Sequence, residues 1–229
     1  MAGQKAFSPL LSGRALGRRW LALHLLGTCL LFGTAASAAP PAQKPSSLNT
    51  SRWWNLACDD PSPSPCILTV LLRGAINALR VRLIETALQR RDDALPAMRR
   101  PIALRLDVDT HGGELFSALE IGRILRRESA AIYIGPRAQC SSACVFVLMG
   151  APDRRIAPSA RIGIHRPSLG ANEREAIVDA MIPQLVLYAD KMGVPRRIID
   201  DMVLISTEYF RYLSARELAD YGIAVSGTR

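Results

Sequence analysis

Residues 138–146 read AQCSSACVF, which places two serines between two cysteines directly before an apolar run. Further along the chain, the stretch RIGIHRP contains His165. A serine within reach of a histidine suits nucleophilic catalysis, because the imidazole can take the hydroxyl proton. Small residues in such a row are also typical of close helix packing, and a lone histidine after a strand is more often structural. Two interpretations are therefore open: a nucleophile with its base, or a packing site held by a disulfide.

Segments with the patterns of strands and of helices alternate on both sides of this stretch. β-branched and apolar residues predict strands, whereas apolar residues at helical spacing predict helices. The predicted strands are 67–76, 101–110, 130–135 and 161–165, and the predicted helices are 77–93, 114–129, 145–150, 172–193 and 214–223. The long helix is expected to bend or break at Pro183, and Ser214 with Glu217 predicts a capping box. The alternation predicts a single α/β domain over residues 67–229.

Length and composition agree with one soluble domain of this kind. The chain has 229 residues, of which 49% are hydrophobic and 21% charged. Its formal net charge is +9, but Lys5, Arg14, Arg18 and Arg19 contribute four of these charges near the N-terminus. The remaining excess is mild and forms no dense basic run, so we expect no nucleic-acid partner.

The N-terminus has the pattern of an export signal. The basic stretch GRALGRRW is followed by the apolar LALHLLGTCLLFGTA and by ASA before Ala39. A basic region, an apolar region and a small-residue site are typical of a signal peptide. We predict a signal peptide over residues 1–38, cleaved after Ala38, and a periplasmic or secreted product. The apolar run, 21–35, is short for a bilayer span, which needs about 20 residues. Membrane association is expected only if the signal is retained as an anchor.

Residues 39–66 are rich in proline and serine and predict a linker. Removal of the signal leaves four cysteines, and an even number in an exported chain indicates disulfides. Proximity in sequence favours the pairs Cys58–Cys66 and Cys140–Cys144, with buried free thiols as the alternative for the second pair. A zinc site is disfavoured because the spacings are not CxxC and few histidines are present. We therefore expect no metal.

The segment DTHGGELF, residues 109–116, joins a predicted strand to a predicted helix through two glycines. Paired glycines allow another backbone to approach closely and leave amide groups free to donate. Such amides can stabilise a developing oxyanion. Alone, the segment is compatible with an ordinary tight turn, and it lacks the pattern of a phosphate-binding loop.

These elements in this order resemble the Clp protease proteolytic subunit and its ClpP/crotonase superfamily. The matching stretches are DTHGG, CSSAC, GIHRP and the closing YLSARELADYGI. The resemblance covers roughly residues 67–225 and is strongest to exported ClpP-like proteins with a CxSAC box. It implies a spiral of ββα units in a single domain.

The resemblance also implies roles for individual residues. Ser142 would be the nucleophile and His165 the general base, and the backbone amides of Gly113 and Ala143 would form the oxyanion hole. Ser141 is the rival nucleophile, but a serine followed by two small residues fits the family better. The implied substrate is a peptide or protein, relatives self-associate, and acyl transfer by serine requires no cofactor.

Two departures from the family pattern stand out. His111 replaces the proline that precedes the diglycine. An ungapped alignment puts Phe210 where the family has its third, acidic member. Glu208 lies two residues away and is a weak candidate for that role. Asp200 or Asp201 could take the role only if the alignment were shifted. A serine–lysine arrangement is poorly supported, because Lys44 and Lys191 are the only lysines after the signal.

The sequence therefore predicts an exported serine hydrolase, with a peptidase as the favoured activity. A catalytically inactive scaffold or binding protein with the same fold is the first alternative, and Phe210 is its best support. A crotonase-type acyl-CoA enzyme is the second, and export argues against it because CoA is a cytoplasmic cofactor.

Overall fold

Two β-sheets carry the apolar segments of the chain. The computed structural model describes residues 53–58, 64–98, 100–169 and 175–223, all within one compact unit, Gln43–Arg229. In this part of the chain the strands are β1 (Trp54–Ala57), β2 (Cys66–Arg73), β3 (Ile102–Asp109), β4 (Ala131–Ile134), β5 (Gln139–Ser141), β6 (Asp153–Ile156), β7 (Arg161–Ile164) and β8 (Arg211–Tyr212). The helices are α1 (Ala78–Ala94), α2 (Leu115–Arg127), α3 (Cys144–Gly150), α4 (Glu175–Lys191), α5 (Arg197–Val203) and α6 (Ala215–Asp220).

The larger sheet has five strands in the order β1-β2-β3-β4-β6. β1 is antiparallel to β2, and the other neighbours are parallel. Along β2 and β3, alternate residues such as Leu68, Val70, Leu104 and Leu106 are buried, as the period of two in a strand requires. Helix packing covers this apolar face, and every residue of α3 is buried. The mixed α/β architecture in one domain is the predicted fold class.

The smaller sheet has the order β5-β7-β8 and is linked to the larger one through Thr110. Thr110 continues β3 by one residue and forms a parallel bridge with Cys140 of β5. The backbone N–H of Thr110 donates to the Gln139 carbonyl at 2.7 Å, and that of Ser141 donates to the Thr110 carbonyl at 3.2 Å. The end of β3, which leads into the diglycine, is thereby held beside the strand that leads into Ser142.

Two half-buried guanidinium groups bind the carbonyls at the ends of α3 and α4. Arg154 Nη2 donates to the carbonyls of Met149 at 2.7 Å and Met192 at 3.1 Å. Arg126 Nη2 donates to the same Met192 carbonyl at 2.6 Å. Burial lowers the pKa of Arg154, and the neighbouring charge of Arg126 acts in the same direction. These bonds satisfy carbonyls that a helix end leaves without an intrahelical partner.

The structure corrects three of the predictions about secondary structure. The segment 39–66 is not wholly a linker, because β1 pairs with β2 and Cys66 is already the first residue of β2. Trp54 and Leu56 pack against the core, which explains why this short strand forms. Helix α4 continues through Pro183 without the expected break. The short strands β5, β6 and β8 were not predicted, because two to four residues carry no readable periodicity.

Both predicted cysteine pairs are disulfides in the structure. The Cα atoms are 4.3 Å apart in Cys58–Cys66 and 5.2 Å apart in Cys140–Cys144. The predicted signal peptide, residues 1–38, lies outside the described residues. Among the helices of the described ranges, none combines the length and the apolar character that crossing a membrane requires.

Candidate active site

Ser142 lies in a turn between β5 and α3 and has a left-handed backbone, with φ at 57°. A non-glycine residue rarely adopts this conformation, and strained residues of this kind concentrate at functional sites. The Ser142 N–H donates to the Gly163 carbonyl of β7 at 2.9 Å, and its carbonyl accepts from Val145 N–H at 3.0 Å. The strain is thus held by bonds on both sides of the residue.

The diglycine packs directly against this turn. A Cβ atom on Gly112 would lie 2.7 Å from the Ser142 Cβ, and one on Gly113 would lie 2.2 Å from the Ile76 carbonyl oxygen. Both glycines have positive φ, at 111° and 149°. Only glycine fits at these two positions. The buried Thr110 hydroxyl holds the loop, because it donates to the Gly74 carbonyl at 2.6 Å and accepts from the Gly112 N–H at 3.1 Å.

Two backbone N–H groups beside Ser142 have no acceptor among the described residues. Ile76 forms a parallel β-bridge with Gly113: the Ile76 N–H donates to the Gly112 carbonyl, and the Glu114 N–H donates to the Ile76 carbonyl. This pattern does not use the N–H of Gly113. The N–H of Ala143, next to Ser142, also donates to no described acceptor. Gly113 and Ala143 line one pocket together with Ser142 and His165. The structure therefore brings together the four residues singled out from the sequence.

His165 follows β7, and its side chain points at the serine. Its Nε2 lies 2.6 Å from Ser142 Oγ, and only 8% of the residue is exposed. Burial lowers the pKa of His165, and the backbone of Arg166 opposes that shift. A neutral imidazole with Nε2 facing the hydroxyl can accept its proton. Ser141, the rival nucleophile, is fully buried in β5, and its Oγ accepts from Gln139 Nε2 at 2.7 Å.

The other ring nitrogen of His165 has no side-chain partner in the described part of the chain. Nδ1 is buried, and the contact with the Arg166 backbone is too poorly aligned to count as a hydrogen bond. The ring of Phe210 lies beside the imidazole instead, with 5.2 Å between the centroids. The side chain beside the imidazole is therefore an aromatic ring, from the residue that the ungapped register sets against the acidic member of the family pattern.

None of the acidic candidates for a third member reaches His165. Glu208, the predicted weak candidate, is exposed, and its backbone N–H donates to the Ser206 hydroxyl at 3.2 Å. Asp200 is paired with Arg196 at 3.0 Å, and Asp201 accepts from the Tyr221 hydroxyl. The structure thus gives no support to Glu208 in that role, because its turn holds it in solvent.

The remaining candidates also lie away from the pair. His111 is exposed and does not line the pockets that contain Ser142 and His165. Lys191 ends α4 and is exposed, while Lys44 lies outside the described residues. In the described ranges no three or more His, Cys, Asp or Glu side chains cluster as metal ligands would.

A groove of about 660 Å³ opens beside Ser142 and His165. Its walls carry the apolar side chains Ile76, Leu115, Phe116 and Leu169, together with Glu114. Phe116 is 64% exposed, so the groove presents an apolar surface to solvent. A second cavity of about 340 Å³, lined by Arg73, Asp107, Asp109, Tyr133 and Arg137 among others, contains none of the predicted site residues.

This arrangement has the parts that serine-type acyl transfer needs. A hydroxyl faces a neutral imidazole, and two unused backbone N–H groups lie next to it. Residues 94–225, more than half of the sequence, match the model of the Clp protease family. The chain belongs to the Clp protease family.

Solved structures show the same fold. The 1510-N membrane-bound stomatin-specific protease, a mutant form, has a TM-score of 0.55 and 19% identity, over 69% of this chain and 78% of that one. A mutant of the same protease in complex with a substrate peptide has a TM-score of 0.55 and 20% identity, over 70% and 74%. ClpP1 from Listeria monocytogenes has a TM-score of 0.52 and 19% identity, over 70% and 92%. No curated protein matches the chain significantly.

Sequence reasoning missed the residues that hold the site together. Thr110 fastens the diglycine loop, and Gly163 supplies the carbonyl that anchors Ser142. Both residues lie inside the matching stretches DTHGG and GIHRP, but the sequence assigned no role to either. A glycine within a strand was the one available signal, since it often marks close backbone approach.

Proposed function

We propose that this protein is an exported serine hydrolase that cleaves peptides, with Ser142 as nucleophile and His165 as general base. The observation that carries the proposal is the 2.6 Å separation of Ser142 Oγ and His165 Nε2. The imidazole takes the hydroxyl proton as the serine attacks a carbonyl carbon, and later returns it to the leaving group. The N–H groups of Gly113 and Ala143 stabilise the oxyanion.

A peptide substrate is supported by the family and by the groove. The Clp protease family consists of peptidases, and one solved structure of similar fold holds a substrate peptide. The apolar groove beside the pair suits an apolar side chain next to the bond that is cleaved. Self-association, which the resemblance implies, is part of the proposal, and sedimentation of the exported product tests it.

Export is supported by two independent features. The N-terminal pattern predicts a signal peptide over residues 1–38, and disulfides such as the two in this domain persist in oxidising compartments. N-terminal sequencing of the product should give Ala39. An intact Met1 in the membrane fraction would instead establish an anchored protein.

Labelling with a fluorophosphonate probe tests the chemistry. We expect Ser142→Ala to abolish labelling, because the attacking oxygen is gone, and His165→Ala to reduce it severely. Ser141→Ala is the matched control, since Ser141 Oγ is buried against Gln139 and away from the groove. Thermal unfolding must show that all three variants are folded.

A catalytically silent scaffold is the second function that an observation favours. The unpartnered Nδ1 of His165 and the aromatic neighbour in place of a carboxylate both support it. If folded wild-type protein resists the probe from acidic to alkaline pH, the hydrolase proposal fails and the scaffold takes its place.

A further inference from the structure

The strand register places Phe210 directly opposite His165. Gly163 pairs with Tyr212, and Ile164 pairs with Arg211, in the antiparallel β7–β8 ladder. One further step along both chains brings the Phe210 and His165 rings together at 5.2 Å, tilted by 52°. Directly opposed cross-strand side chains are close neighbours whose packing stabilises the sheet.

Phe210 is itself held in place on two sides. A Cβ atom on Gly163 would lie 3.2 Å from the Phe210 Cβ and 3.1 Å from the Tyr212 ring, so the glycine makes room for both aromatic residues. Tyr212 meets Phe210 edge-on, with 6.3 Å between the ring centroids, and the Arg161 guanidinium lies 4.3 Å from the centroid of the Tyr212 ring. A continuous row of rings therefore ends on the imidazole.

We propose that Phe210 is a positioning residue, which orients the His165 ring by packing, where no described side chain holds Nδ1. The inference rests on the proposed function for its catalytic meaning. When the Ser142 hydroxyl donates to Nε2, the proton of the neutral ring must reside on Nδ1. That nitrogen is buried, and no side chain among the described residues accepts from it. The backbone of Arg166 is near enough to raise the pKa of the ring, but no side chain fixes the orientation of the ring through Nδ1. Contact with Phe210 restricts its rotation instead.

The charged groups around His165 are engaged with other partners. Arg166 donates to the Val203 carbonyl at 3.1 Å and pairs with Asp179. Arg211 of β8 pairs with Glu217. Glu114, before α2, accepts from the Ser117 hydroxyl at 2.8 Å. Packing, rather than an ion pair, therefore sets the orientation of the His165 ring.

Truncation of the ring is the first test. We expect Phe210→Ala to lower the fluorophosphonate labelling rate by about tenfold to a hundredfold, the loss that misplacement by about an ångström causes. Phe210→Leu keeps much of the buried volume and should recover part of the rate, and it replaces the alanine variant if that one unfolds. Tyr209→Ala is the matched control, because Tyr209 is 64% exposed and makes no ring contact with His165.

Nitrogen-15 spectra of the histidine ring give a readout that does not depend on activity. Wild type should show one tautomer with its proton on Nδ1, whereas Phe210→Ala should populate both. Phe210→Asp should raise the pKa of His165, because a nearby carboxylate favours the imidazolium, and so move the midpoint of labelling to higher pH.

Two results would overturn the inference: labelling at the wild-type rate in folded Phe210→Ala, or an unchanged tautomer and midpoint across the series. Failure of the proposed function has a different signature. Wild type would then resist the probe while the histidine spectra still respond to Phe210.

Discussion

The disulfide Cys140–Cys144 spans the turn that carries Ser142, and its removal should impair labelling, whereas removal of the second disulfide should not. Cys140 lies in β5 and Cys144 begins α3, with Ser142 midway between them. Both cysteines are fully buried. The crosslink therefore joins the two ends of a turn whose central residue has a φ of 57°. The change to make is the double substitution Cys140→Ala/Cys144→Ala.

The second disulfide, Cys58–Cys66, is a control with a similar expected contribution to stability. The sequence separations are 4 residues for Cys140–Cys144 and 8 for Cys58–Cys66. The entropy of loop closure assigns about 2 kcal/mol to the first and about 2.5 kcal/mol to the second. Removal of either crosslink should thus lower the free energy of unfolding by a similar amount. Cys58 directly follows β1 and Cys66 begins β2, and neither lines the groove beside Ser142 and His165.

The two variants should differ in their reaction with the probe. A left-handed residue costs roughly 1–2 kcal/mol, and without the crosslink the turn can relax and recover this energy. Since about 1.4 kcal/mol corresponds to tenfold, labelling of Cys140→Ala/Cys144→Ala should fall about tenfold. Cys58→Ala/Cys66→Ala should label close to the wild-type rate.

The assay combines urea unfolding with labelling rates, taken at a temperature where both variants are folded. Equal labelling by the two double variants would refute the reasoning. The bond from Ser142 N–H to the Gly163 carbonyl would then hold the turn without help from the disulfide.

Three further predictions concern the base, the diglycine and the helix ends. Because burial lowers the pKa of His165, labelling should rise with pH to a midpoint below the ordinary value of about 6.5, and a midpoint above it in a pH series would contradict the assignment. Gly113→Ala should abolish labelling, since its Cβ would lie 2.2 Å from the Ile76 carbonyl oxygen; a folded variant with the wild-type rate would refute the oxyanion role. Arg154→Met should cost about 2–4 kcal/mol in urea unfolding, because buried carbonyls lose charged donors, and a loss below about 0.5 kcal/mol would show that these carbonyls find other partners.

The sequence was sufficient for the order of the longer elements and for singling out Ser142 and His165. Strand and helix periodicities are strong in segments of eight residues or more, such as β2, β3 and α2, and these were predicted. The ungapped alignment with the family pattern also placed Phe210 at the position of the acidic residue. It could not show that Nδ1 of His165 is left without a partner, because that is a property of contacts between distant segments. Glu208 failed as a candidate for the same reason, since its exposure is decided by the turn that carries it.

The distance between nucleophile and base is set by a single strand rather than by side chains. β7 provides the Gly163 carbonyl that binds the Ser142 N–H at 2.9 Å, and two residues later the same strand delivers His165. The hydrogen bond to the Gly163 carbonyl fixes Ser142, and the course of β7 fixes the backbone of His165. A carboxylate in a triad has a different task, because it selects the tautomer and orientation of the imidazole, and its loss can cost about 10⁴ in rate. If Ser142 and His165 react as proposed, that task falls to the contact with Phe210, and the labelling rate should depend on how tightly this one aromatic ring packs.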